Sequence, residues 1–158
     1  MKTQIALKKE TRSEIAQILN TVLADEHVLY TKARNYHWNV TGPQFAILHE
    51  VFEEQYNEIK VIADNVAERA RMMGYPAIGT LASFLKHTRL EEAPSNKLSA
   101  MDMVADLLNS HEKMIRNLRA DVDACLEEYE DEGTADLLIE TMRAHEMAAW
   151  MLRVTLEE

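Results

Sequence analysis

The chain has 158 residues, 47% of them apolar and 6% aromatic, and its 27 acidic residues against 17 basic give a formal net charge of −10. That length suits a single domain, expected over 1–158 with a short N-terminal extension over about 1–9, and is too short for two. The charge disfavours DNA and anionic lipid as partners, and no run of about eighteen apolar residues offers a membrane span.

In chain order, Met1-Lys2-Thr3-Gln4 leads into charge rather than an apolar stretch, so no secretory signal is read there. A first helix is predicted over roughly 10–39, carrying Ile15, Ile18, Leu19, Val22, Leu23 and Leu29 at helical spacing. Gly42-Pro43 breaks it from a second helix over 44–73, which Gly74-Tyr75-Pro76 ends. Leu81, Phe84 and Leu85 indicate a short helix at 80–88 inside a connection too long to be bare loop. After Ala93-Pro94-Ser95-Asn96 comes a helix over 99–127, with Ser99 as its cap and Asp102 three residues on. Asp131-Glu132-Gly133 forms the last break, and a final helix is predicted over 134–156 with Thr134 as cap. Four long helices make an all-α four-helix bundle, and the long link between the second and third suits the single crossover of ferritin-like folds. Cys125 follows Leu118 and Val122 at helical spacing and reads as a buried core thiol, in keeping with a cytoplasmic location. Met101, Met103, Met114, Met142, Met147 and Met151 read as helix packing.

Intrachain diiron bundles pair Glu with His three residues on, and none of the six His here has a Glu at that distance. The second helix offers another arrangement. His49, Glu53, Asp64 and Glu68 fall at about 0°, 40°, 60° and 100° around it, on one stripe. Along the axis the first pair lies roughly 16–28 Å from the second, far beyond a metal–ligand bond of about 2 Å. An antiparallel copy of the same helix, with a twofold axis near residues 58–59, would bring the two pairs together and give two sites per dimer. His37, just before the Gly42-Pro43 turn, would fold back to the same place. Two imidazoles and three carboxylates suit iron, with zinc or manganese as substitutes. Spacing alone also fits a solvated acidic face, and both readings stand at this point.

Asn35-Tyr36-His37-Trp38-Asn39-Val40-Thr41-Gly42-Pro43-Gln44-Phe45, then Leu48-His49-Glu50 and Ala67-Glu68-Arg69-Ala70, closely resembles the Dps family of mini-ferritins, named for DNA binding in starved cells. The resemblance implies an intersubunit ferroxidase site on His37, His49, Glu53, Asp64 and Glu68, where Glu53 replaces the family's usual Asp. Trp38 corresponds to a family Trp close to the iron. The resemblance further implies a hollow dodecamer that oxidises ferrous iron with hydrogen peroxide or oxygen and stores the ferric product, protecting against oxidative damage. Glu127-Glu128-Tyr129-Glu130-Asp131-Glu132 reads as a solvated acidic loop or as part of an iron-entry pore with Asp131, Asp136 and Glu140. The family name invites an alternative, a nucleoid-compacting DNA binder. Against it stands a short basic start of only Lys2, Lys8, Lys9 and Arg12 on an acidic body.

Overall fold

The computed structural model describes residues 3–157, so Lys2 lies outside the described residues. The elements are α1 (Lys9–Asn39), α2 (Phe45–Met72), α3 (Leu81–His87), α4 (Ala100–Glu127) and α5 (Glu132–Leu156), with no strand among the described residues. The all-α bundle and the short helix in the crossover match the sequence expectation.

Each long helix buries a stripe whose members recur three or four residues, or two turns, apart, the pattern of a bundle seam. On α1 it runs Ile15, Leu19, Val22, Glu26, Leu29, Ala33 and Tyr36, and on α2 Leu48, Phe52, Gln55, Ile59, Ala63, Val66 and Ala70. Leu107, His111, Met114, Leu118 and Cys125 form the stripe of α4, and Leu138, Thr141, His145, Ala148 and Leu152 that of α5. The apolar members divide into two clusters, one around Leu19, Val66, Met114 and Leu138 and the other around Leu29, Phe52, Leu107 and Leu152. Burial of each large aliphatic side chain stabilises the fold by about 1.5–3 kcal/mol. Met103 and Met114 join this core, whereas Met147 and Met151, expected to pack, are exposed on the outer face of α5.

The connections are fixed by specific bonds. Gly42 takes φ +109° between α1 and α2, a left-handed conformation that L side chains rarely adopt. Gly74, at φ +87°, ends α2, and a Cβ there would meet Thr3 Oγ1 at 2.5 Å. The Arg12 guanidinium donates to the Met73 carbonyl at 2.6 Å and ties the start of α1 to the end of α2. The crossover is held by Arg89, whose Nε donates to Asp25 Oδ2 at 2.8 Å and whose Nη2 donates to Asp121 Oδ2 at 2.9 Å. Asp25 is fully buried, so this paired, hydrogen-bonded arrangement is what makes its charge tolerable there.

Ser99 and Asp102 form a capping box at the start of α4. The cap of α5 is Asp131 rather than Thr134: Asp131 accepts from the Thr134 backbone N–H, and Glu132 and Gly133 already belong to the helix. Thr134 turns its hydroxyl to the Asp131 carboxylate and accepts from Arg69 Nε at 3.0 Å. Cys125 is fully buried as expected, and burial, with Asp131 and Asp121 nearby, pushes its thiol up to about 12. Replacing Asp131 with Ala removes both the cap and the Arg69 partner. The expected loss is about 1–2 kcal/mol of stability, seen as a lower denaturation midpoint, with the exposed Asp136→Ala as a near-neutral control.

Candidate metal centre

The α1–α2 turn brings His37, near the end of α1, against His49 in the second turn of α2. Their rings stack with centroids 3.7 Å apart and planes 20° from parallel. His37 Nδ1 lies 2.8 Å from the His49 carbonyl, and His49 Nδ1 lies 2.8 Å from the His37 carbonyl. A carbonyl oxygen only accepts, so each Nδ1 carries the proton. In the neutral ring Nε2 is then left as a lone pair, the state a metal ligand needs. Each histidine therefore supplies the backbone partner that sets the other's tautomer.

Glu53, one turn after His49, completes the cluster. One ligand atom from each of His37, His49 and Glu53 lies within 4.8 Å of the others. His37 is buried, His49 half-buried and Glu53 exposed, so the group opens to solvent on the carboxylate side. Tyr56, which was not singled out in the sequence, donates to Glu53 Oε1 at 3.3 Å and meets the His37 ring edge-on at 5.3 Å. Desolvation and the charge of Glu53 push the Tyr56 phenol up, so it remains a donor at neutral pH. Its position one turn beyond Glu53 was the signal available. The Phe45 ring lies 5.0 Å from that of His49. Trp38 projects outward, 64% exposed, with the Arg34 guanidinium 4.6 Å over its ring.

Asp64 and Glu68 are not part of this cluster. They lie further along α2, both exposed, and neither forms an ion pair among the described residues. Exposed apolar groups accompany them, Val61 and Met72 on α2 and Leu81 and Leu85 on α3. Asp64 also lines an open groove between α1, α2 and α3, where the His27 ring stacks on Phe84 at 3.9 Å. Of the expected pore residues, Asp136 and Glu140 are exposed. Asp131 is 7% exposed, and its carboxylate is occupied by Arg69 and Thr134, so the fold uses it as a cap and ion-pair partner.

A bundle of this connectivity, with two imidazoles and a carboxylate gathered at its surface, has the form of a ferritin-like protein. A family model described as a ferritin-like domain matches residues 16–158. A low temperature-induced protein of Nostoc sp. is 44% identical, the match covering 97% of this chain and 86% of that relative. A DNA protection during starvation protein of Brevibacillus brevis is 38% identical, over 96% of this chain and all of the relative. A Dps structure from Vibrio cholerae, described as a member of a broad superfamily of ferritin-like diiron-carboxylate proteins, superposes with a TM-score of 0.91 at 28% identity, covering 99% of this chain and 98% of that one. The chain belongs to the Dps family.

Proposed function

We propose that this chain is a ferroxidase and iron store that assembles as a homo-oligomer, a hollow dodecamer built from twofold dimers. The observation that carries the reading is the three-ligand cluster of His37, His49 and Glu53, open on one side, whose α2 members His49 and Glu53 share their helix with Asp64 and Glu68, two exposed carboxylates without an ion pair among the described residues. An antiparallel second copy of α2 would set the partner's Asp64 and Glu68 against this open side. The exposed Val61 and Met72 on the same helix face are apolar surface that such a partner would cover.

The completed ligand set is two imidazoles and three carboxylates around ferrous iron, which is the substrate. Carboxylate oxygens stabilise the ferric state over the ferrous one electrostatically, so the site favours loss of an electron. Two ferrous ions and one hydrogen peroxide, with two protons, give two ferric ions and two waters. Oxidation in pairs thus avoids releasing hydroxyl radical. Trp38, beside His37 and under the Arg34 cation, is placed to donate an electron if oxidation goes astray. Glu53 reaches further than Asp would, and its bond from Tyr56 holds the longer side chain over the cluster.

DNA is the weaker candidate for a partner. The net charge of −10 opposes a phosphate backbone, and in the basic N-terminal segment the Arg12 guanidinium is taken by the Met73 carbonyl. Asp136 and Glu140, four residues apart and exposed on α5, instead suit a cation-attracting pore mouth between copies of the chain.

In stopped-flow mixing, the wild-type protein should oxidise ferrous iron with peroxide faster than buffer does. Asp64→Ala should slow the reaction by at least about tenfold. Oxidation by the wild type no faster than in buffer would contradict the activity. Asp136→Asn should leave the assembly intact by light scattering and slow iron uptake by a factor on the order of ten at low ionic strength. Unchanged uptake would remove Asp136 from the entry path.

A further inference from the structure

Every long helix contributes a polar residue to its buried stripe. Glu26 comes from α1, Gln55 from α2, His111 from α4 and His145 from α5, and each is more than nine-tenths buried. None belongs to the His37–His49 cluster.

Three of these residues form a directed chain of hydrogen bonds. His145 Nε2 lies 2.9 Å from Glu26 Oε1, and His145 Nδ1 lies 2.9 Å from His111 Nδ1. With Glu26 a carboxylate, His145 must donate from Nε2. In neutral His145 the remaining Nδ1 is an acceptor, so His111 donates from its own Nδ1 and is left with a bare lone pair on Nε2. Burial, and then the neighbouring His145, push His111 well below its ordinary value, which keeps that ring neutral. His111 Nε2, Gln55 Oε1 and Glu26 Oε2 are buried without a hydrogen-bond partner among the described residues. All three are acceptors in this proton arrangement, and unpaired buried acceptors next to a carboxylate are costly.

His111 and Gln55 face a small cavity of about 10 Å³ between α2, α4 and α5, which His145 and Glu58 also line. It has room for one water-sized occupant. Ile59, Ile62, Ala144 and Ala148 make up its apolar walls. Glu58 is exposed, so the cavity borders the protein surface on that side.

We propose that this cavity binds one divalent transition-metal ion within a single chain, held by His111 Nε2, Gln55 Oε1 and the Glu58 carboxylate. One imidazole with two oxygen donors suits zinc or ferrous iron. Glu26 and His145 act from behind, fixing the tautomer of His111 as carboxylate partners do for metal-binding histidines. The ion also supplies the positive charge that buried Glu26 lacks when both rings are neutral.

Zinc is the probe, used with the full-length protein. Crystals grown with zinc and measured at the zinc edge should show an anomalous peak about 2 Å from His111 Nε2. In calorimetric titration, the double variant His49→Ala/Asp64→Ala, which lacks the surface cluster, should still bind about one zinc per chain. Adding His111→Asn, which keeps a polar group where Nδ1 stood and removes Nε2, should abolish that binding. Gln55→Leu in the same background should weaken it at least about tenfold. A wild-type map with no zinc peak at His111 overturns the proposal, and so does zinc binding in the double variant that neither substitution changes. If His111→Asn does not fold, the wild-type map still decides. A peak at His111 with none at His37 would uphold this site while counting against the surface cluster.

Discussion

The reciprocal bonds between His37 and His49 are the constraint on which the surface cluster depends. Each ring gives its Nδ1 proton to the other residue's carbonyl, at 2.8 Å in both directions. These bonds stitch the end of α1 to the start of α2 across the Gly42 turn. They also fix both tautomers, which leaves two Nε2 lone pairs. Without that exchange, the stacked rings would be two histidines of unfixed tautomer near a helix junction. With it, both rings are held in the orientation and tautomer that a metal ligand would need.

A second constraint is the stiffness of α2. One straight helix carries His49 and Glu53 as well as Asp64 and Glu68, and its rise keeps the two pairs roughly 16–28 Å apart. No rotamer change closes such a gap, so if Asp64 and Glu68 ligate the same ion as His37 and His49, they do so from another copy. Function would then be tied to assembly, because among the described residues of one chain His37, His49 and Glu53 come together without Asp64 and Glu68. The buried set of Glu26, Gln55, His111 and His145 contrasts with this arrangement, since a single chain provides all of it.

Much of the fold was legible in the sequence because its signals are local. Gly42-Pro43 and Gly74 mark real helix ends, and Ser99 with Asp102 forms a real capping box. His37, His49 and Glu53 were legible as a group because two of them lie one turn apart and the third lies just across a turn. The rest depended on side-chain reach. Gly133 reads as a breaker, but Asp131 caps the helix from two residues earlier and carries it into the first turn. Met147 and Met151 obey helical spacing, yet they face outward on α5, where no element of the same chain covers them. His111 and His145 sit within apolar stripes, and nothing local says that a histidine 34 positions away and a glutamate 119 positions away complete their hydrogen bonds.

The most direct test of a shared centre is subunit complementation. One variant chain would carry His37→Ala and His49→Ala, and the other Asp64→Ala and Glu68→Ala, so that neither alone can form a complete site. When the two are co-assembled in equal amounts, half of the dimers are mixed and each mixed dimer regains one of its two sites. Ferrous oxidation should therefore recover to about a quarter of the wild-type rate. If mass spectrometry showed mixed dimers and the mixture remained as inactive as either parent, the ligands would not be shared between chains.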